Sequence, residues 1–551
     1  MHKYLFLLLL FFISCSKDKM ISPDSPEETK LSVEFMILEK EINTVADAGE
    51  KTVRIRSNTN WTIAQTPEWV KPDTLNGNGD MDMKLTWTEN KEEYSRSGDI
   101  IFIAGNINDT LSIKQNGITL ELVDYSGKDG KLKLSEPKYL LFNKPVTLNY
   151  LKSGEETIVF NVGENDIEYL DDGKGFKFTV GPSYLGNSYK YVYSVTDKDG
   201  VTQTDILPIP FFTSKKLIAG GLRKIRLDDK NNVWALTTNR LDGEDSDCLY
   251  EFEIVNGQLV EKLRIELDIP NVYGTLNGDF FINPYNDLVY VTNYEGKKVE
   301  IFTQTGQLVK DIPMQPDSLD HPDSPCIYPM GIGFNKSGLG IIGLGNPTSS
   351  GIRWKYIDSS RGDKMQSPSE EHPLYYEDYW HFKLNYDKSI LYMIGNRSTK
   401  VKWYDTSGNF NELELGDIYQ QADMVDVIPN QFNNKIYIEG LYNQQIITTD
   451  GSYKSPQSYA KGYIGDFSYD TDLSNYIYAL NTFYERLELL NYNDAETIFS
   501  YPVAPFFLSG NTYYTDLKTT TDNKYLIMCS DYVSLARDSS QIVLFDIDMF
   551  K

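Results

Sequence analysis

From about residue 32 onward the chain alternates between short apolar stretches and clusters of Asp, Asn, Gly and Lys. Val53-Arg54-Ile55-Arg56-Ser57 alternates with period two, the pattern of a strand with one buried face. Further strands are expected at Ile100–Ile103 and Leu111–Ile113, joined around Asn106–Asp109. A strong turn cluster, Asn76-Gly77-Asn78-Gly79-Asp80, lies before them. Residues 118–212 continue in the same style, with strands expected at 119–123, 146–150, 157–162, 176–180 and 189–195. Asp197-Lys198-Asp199-Gly200 is a hairpin turn there, and Leu207-Pro208-Ile209-Pro210 has the composition of a linker. Long amphipathic helical patterns are scarce. The chain is therefore expected to be all-β.

Residues 213–551 repeat one unit: a turn rich in Asp, Asn and Lys, then a short apolar strand with a bulky centre. Copies begin at Asp229-Lys230-Asn231-Asn232-Val233-Trp234, Tyr285-Asn286-Asp287-Leu288-Val289-Tyr290, Asn335-Lys336-Ser337-Gly338, Tyr386-Asp387-Lys388-Ser389, Asn433-Asn434-Lys435-Ile436-Tyr437, Asp472-Leu473-Ser474-Asn475-Tyr476 and Thr521-Asp522-Asn523-Lys524-Tyr525. They recur at intervals of roughly 40 to 60 residues, the period of propeller blades. A further apolar strand often follows each copy, as at Val299–Phe302, Val401–Tyr404, Leu487–Leu490 and Ile542–Phe545, and is taken as the outer strand of its blade. One such sheet cannot bury both faces alone, so the sheets are expected to stack radially and close. The fold expected is two immunoglobulin-like β-sandwiches, over 32–117 and 118–212, followed by a β-propeller over 213–551 with about seven blades, six or eight being the alternatives.

The first residues differ from the rest. Tyr4–Ile13 is almost wholly apolar but too short to span a bilayer, as in the central region of a secretory signal. Phe12-Ile13-Ser14-Cys15 resembles a lipobox. The resemblance implies that 1–14 is a signal peptide, that cleavage occurs before Cys15, and that Cys15 carries acyl chains; several chains anchor firmly where one holds weakly. Residues 15–31 then form a polar tether of Ser, Pro and charged residues. In surface lipoproteins of the Bacteroides group, acidic residues after the Cys act as an export signal. Here the acids are interrupted by Lys17 and Lys19. The expected location is the outer membrane, lipid-anchored and facing outward.

The order of features in 32–117 resembles the BACON domain, a small immunoglobulin-like sandwich of Bacteroidetes proteins. The matching features are Ala48-Gly49, Ser57-Asn58 with Trp61, Trp69-Val70, Gly77 and Gly79, Asn90, Arg96-Ser97-Gly98 and the closing Ile113-Lys114-Gln115-Asn116-Gly117. That family is associated with carbohydrate binding. Trp61 and Trp69 could stack on sugar faces, but filling the sandwich core is the commoner use of a large aromatic.

Charge narrows the partners. The 551 residues hold 53 Lys and Arg against 79 Asp and Glu, a formal charge of −26. An acidic surface disfavours nucleic acid as a partner. Of four cysteines, Cys15 goes to lipid; Cys248, Cys326 and Cys529 are an odd remainder, read as buried thiols. No metal, cofactor or catalytic constellation has the required spacing. The histidines are His2, His321, His372 and His381, with no His-Glu-x-x-His pattern and no Gly-x-Ser-x-Gly elbow. The Asp197/Asp199 pair lacks the remaining ligands of a calcium loop. A glycosidase pair across a propeller channel would leave no sequence spacing to find.

Two long insertions remain, Met314–Met330 and Gln366–Trp380. The second ends Tyr375-Tyr376-Glu377-Asp378-Tyr379-Trp380-His381, aromatic rings beside carboxylates. Rings that stack on a sugar's apolar face and acceptors for its hydroxyls suit a glycan. Tyr375, Tyr376, Trp380 and His381 are therefore the candidate ligand residues, although Trp380-His381-Phe382 also reads as the opening of an inner strand. The expected function is non-catalytic binding of a glycan or partner protein by the propeller. The alternatives are a propeller glycosidase or lyase, and a protein-binding scaffold of an outer-membrane uptake complex.

Overall fold

The computed structural model describes residues 32–129, 132–153, 158–160, 167–170, 172–179, 185, 188–219, 221–238, 247–267, 278–316, 326–346, 349–367, 380–395, 400–414, 424–430, 435–440, 443–448, 458–459, 463–467, 476–481, 486–491, 497–503, 511–533 and 539–550. The chain divides into two compact units, one ending at Thr119 and one beginning at Leu120. Apart from two short 3-10 turns, the elements described are β-strands.

The first unit is a two-sheet sandwich. One sheet holds Phe35–Ile37, Gly49–Ser57, Met81–Trp87 and Val70–Pro72 in spatial order; the other holds Glu41–Thr44, Ile107–Gln115, Arg96–Ala104, Asn60–Gln65 and Asn76–Asn78. The period-two pattern does what it predicts: Val53 and Ile55 are buried while Arg54 and Arg56 are exposed. With Trp61, Met83, Leu85, Ile100, Phe102, Leu111 and Ile113 they fill the core. Each such side chain taken from water contributes about 1.5–3 kcal/mol. Trp61 is in this core, its Nε1 donating to the Gly79 carbonyl at 3.3 Å. Its ring packs against Gly77, where a Cβ would come within 2.3 Å of it.

The second unit contains the other sandwich and the propeller-like array. The sandwich pairs the sheet Leu122–Tyr125, Lys138–Phe142, Gly175–Phe178, Ile167–Tyr169 with the sheet Ile158–Phe160, Val146–Ser153, Ser188–Asp197, Thr202–Pro210. Its core is aromatic, with Phe142 edge-on to Tyr193 at 5.7 Å and Phe178 against Tyr191 at 5.4 Å. Leu207–Pro210, expected as a linker, is instead the end of an edge strand, the position in a sheet that tolerates proline. The Asp197 turn forms as expected: its carboxylate accepts from the Asp199 and Val201 amides, both at 2.9 Å, and Gly200 takes φ +80°. The Lys144 ammonium pairs with Asp197 and lies 3.9 Å from Asp199, so a cation of the chain itself serves both carboxylates.

From Ser214 to Asp546 the described residues form seven four-stranded antiparallel sheets. In six of them the four strands follow in chain order; the last joins Asn511–Thr519, Tyr525–Val533 and Ser539–Asp546 to Ser214–Ala219 from the start of the array. This pairing of early and late strands closes the ring, so that no sheet is left with an unpacked face. The first strands lie side by side around the ring, and Asn511–Thr519 returns to Gly221–Leu227. The repeated polar motif is the turn between first and second strands. Asp228 Oδ1 accepts from the Lys230 and Asn232 amides at 2.9 Å, with Asn231 at φ +63°. Asn283, Asn335, Asn385 and Thr520 cap the equivalent turns. The apolar strand expected as outermost is the third of four. The true fourth strand, such as Leu308–Pro313, is mostly exposed even at its apolar residues Leu308 and Val309.

Sandwich and propeller-like array share one continuous core that runs from Phe142 and Tyr193 to Leu480, Leu517 and Phe545. The final 3-10 turn, Ile547–Phe550, seals it: Phe550 stacks on Phe499 at 5.4 Å, and the Met549 carbonyl accepts from the Leu134 amide at 2.9 Å.

Candidate functional site

Cys15, Tyr375 and Tyr376 lie outside the described residues. Trp380 and His381 open the strand Trp380–Leu384, their backbones opposite Gly395 and Ile394, and their side chains are likewise not described. The next residue, Phe382, is fully buried. The strand reading of this segment therefore holds for its backbone.

The first strands instead bring together charged residues that sequence spacing does not reveal. Lys224 and Arg226 come from the first sheet, Asp279 precedes the first strand of the second, Lys383 comes from the fourth, and Asp516 and Lys518 come from the seventh. Asp279 is 5% exposed; Arg226 Nη2 lies 3.1 Å and 3.3 Å from its two oxygens, and Lys224 Nζ lies 3.9 Å away. The same carboxylate accepts from the Phe280 amide at 2.8 Å and the Ile332 amide at 3.4 Å, so it ties three adjacent sheets together. Asp516 accepts from Lys518 Nζ at 2.6 Å and from the Leu517 amide at 3.0 Å. Burial pushes the Asp516 carboxyl upward, but Lys518, Lys224 and Lys383 outweigh it and hold the group below its ordinary value. Burial likewise drives the Lys224 ammonium down to about 8, against the pull of Asp279.

Two contacts cross the ring between sheets that are not neighbours. Arg226 Nη1 donates to the Phe382 carbonyl at 3.3 Å, while its guanidinium stacks 4.3 Å from the Phe281 ring. Lys388, in the turn of the fourth sheet, pairs with Asp229 in the turn of the first. The channel is thus bridged at the end where first strands turn into second strands. Trp380 and His381 begin their strand at the opposite end, and His381 stands three residues before the strand's last residue, as Lys224 does in its own strand. The missed signal was a charged residue on either side of an apolar one within a strand that must be buried: Lys224-Ile225-Arg226 and Asp516-Leu517-Lys518.

In the first unit the motif residues form a hydrogen-bonded knot. Gln115 accepts from Arg96 Nε at 3.0 Å and Nη2 at 2.8 Å, and its amide donates to the carbonyls of Ala46, Asp47 and Thr88. Asn90 donates to the carbonyls of Tyr94 and Asn116, both at 2.9 Å. Trp69 is half-buried with the Arg96 guanidinium 4.5 Å from its ring centre. One of the two tryptophans with stacking potential is thus in the core, and the other already carries a cation.

Residues 59–116 match the BACON family model, described as "Putative binding domain, N-terminal". No curated protein matches the chain. Among solved structures, a streptogramin B lyase is similar at 13% identity and a TM-score of 0.40, over 60% of this chain and 98% of that one. A protein from Lactobacillus plantarum is similar at 14% identity and a TM-score of 0.36, over 59% of this chain and 95% of that one. A Bacteroides ovatus GH5 xyloglucanase in complex with a XXXG heptasaccharide aligns at 15% identity and a TM-score of 0.15, over 18% of this chain and 22% of that one. The chain joins a BACON domain to a second sandwich and a propeller-like array.

Proposed function

We propose that the chain is an exported lipoprotein, held at the outer membrane by acylated Cys15, whose propeller-like array binds a glycan or a partner protein without chemically altering it. The observation that carries the non-catalytic part is the pairing of Asp279 and Asp516 with buried cations. Glycoside cleavage requires one carboxyl that keeps its proton near neutral pH and a second that is ionised. Both carboxylates here accept from cations, and Asp516 is held below its ordinary value. The BACON match supports a binding role. The bridging of one channel end by Arg226 and Lys388 supports approach of a ligand from the other, where the strand of Trp380 and His381 begins. Tyr375, Tyr376, Trp380 and His381 are the residues proposed to meet it.

A glycan array probed with the full chain, followed by product analysis on every hit, tests this reading. Retention of intact glycan supports it, and hydrolysis or elimination products refute it. Failure to bind any glycan, with capture of an outer-membrane protein, moves the function to the scaffold alternative. Membrane fractionation of Cys15→Ala tests the anchor: release of the variant is expected, and undiminished retention refutes lipidation at that thiol.

A further inference from the structure

Where the second sandwich meets the last strand of the array, the surface folds into a groove of about 780 Å³. That volume lies within the range of small-molecule sites, about 300–1,000 Å³. The sandwich contributes the segment Asp124–Asp129 and the segment Leu132–Tyr139, and the end of the array contributes Asp546, Asp548 and Met549. Its walls are held by their own bonds. Ser126 and Tyr139 exchange backbone and side-chain bonds at 3.1 Å and 2.9 Å, and the buried Lys138 ammonium ties down the carbonyls of Lys133 and Glu136. The Leu134–Met549 backbone bond fixes one wall to the other. Such a cavity exists before any ligand arrives, so little ordering opposes binding.

The lining mixes two kinds of surface. Leu132 and Met549 are buried apolar side chains, and the Tyr125 and Tyr139 rings are half-buried beside them. Around these stand Asp124, Asp129, Glu136, Asp546 and Asp548 together with Lys128 and Lys133. The carboxylates outnumber the ammonium groups, Lys138 included, so the groove repels polyanions. Several are already engaged: Asp124 accepts from Tyr139 Oη at 3.0 Å, Glu136 pairs with Lys133 at 3.4 Å, and Asp546 accepts from the Asp548 amide at 3.0 Å. Five carboxylates against three lysines leave an excess of two negative charges, set among both donors and acceptors.

We infer that this groove binds a short neutral oligosaccharide, whose ring faces lie on the tyrosines and whose hydroxyls meet the carboxylate and ammonium rim. Hydroxyls donate and accept, so they can use a rim of mixed sign, while the apolar ring face needs the aromatic and aliphatic floor. This rests on the glycan half of the proposed function but assigns the sugar to a different place from the channel.

Calorimetric titration of the full chain in detergent with cellohexaose, mannohexaose, maltohexaose, a galacturonate hexamer and hexalysine tests it. Binding of at least one neutral hexasaccharide is expected. The conservative rim variant Asp548→Asn, at unchanged melting temperature, and Tyr125→Ala, which also removes packing from the core, should each weaken it by about tenfold or more, the loss typical of a contact that matters. The paired variant Tyr375→Ala, Tyr376→Ala probes the channel site of the proposed function in the same titration. Neutral-sugar binding that survives both groove variants but is lost in the tyrosine pair overturns the groove assignment and leaves the propeller reading standing. Binding only of the galacturonate, preferential binding of hexalysine, or no neutral sugar bound at all also overturns it.

Discussion

Asp279→Asn isolates the charge cluster at the centre of the array. The carboxylate neutralises Arg226 and faces Lys224, with 5% of its side chain exposed. Asparagine keeps the shape and one acceptor but removes the charge, so Arg226 and Lys224 lose a counter-charge they share. Breaking a buried pair by removing one partner costs about 3–5 kcal/mol, because the remaining charge is left in a poorly solvating place. In a unit this large each kcal/mol lowers the melting temperature by about 2 °C, so a fall of roughly 6–10 °C is expected in scanning calorimetry. The size of the fall depends on pH. Lys224 loses its proton near 8 in the folded chain, so removing Asp279 hurts more at pH 7 than at pH 9. Adding Lys224→Met to Asp279→Asn should recover part of the loss. A melting temperature within about 2 °C of the parent at pH 7, where about 6–10 °C is expected, would show that water, not Asp279, compensates these cations, and the reasoning from burial would fail.

In the first unit, Gly77→Ala forces a methyl into the Trp61 ring, an overpacking cost of about 1–3 kcal/mol, visible as a lower melting temperature for that unit's transition. Phe550→Ala removes the ring that stacks on Phe499 and opens the seam between sandwich and array; a loss of about 3–5 kcal/mol is expected, with faster amide exchange at Leu134 as its local signature. Burial lowers the Lys138 ammonium to about 8, so between that pH and the unfolded value of about 10.4 the unfolded chain binds more protons and stability rises with pH. Urea titrations from about pH 8 to pH 9.5, below the onset of tyrosine ionisation near 10, should show that rise, and Lys138→Met should make it shallower.

Local patterns made much of the fold legible. Val53-Arg54-Ile55-Arg56 revealed its buried face directly, because a strand's side chains alternate whatever lies beyond them. The Asp, Asn and Lys clusters revealed the hairpins, since Asp228 and its counterparts bond to amides only two to five residues away. Trp61 and Gly77 were each legible as features of the resemblance, but their contact was not. The fourth strands were not legible: Leu308–Pro313 sits at the rim with one sheet neighbour, and its Leu308, Val309 and Ile312 follow no alternation that marks a buried face. Leu207–Pro210 misled because proline signals a linker and an edge strand equally.

The sequence by itself determined the all-β character, the hairpin turns and the repeating sheet unit, all of which depend on neighbours close along the chain. Only the tertiary structure decided which charges meet. Lys224, Asp279 and Asp516 are separated by tens to hundreds of residues, and Coulomb energy depends on distance in space, which ring closure by Ser214–Ala219 against Ser539–Asp546 sets. The groove between Tyr139 and Met549 likewise exists only because a final turn packs on a sandwich that precedes it by some four hundred residues.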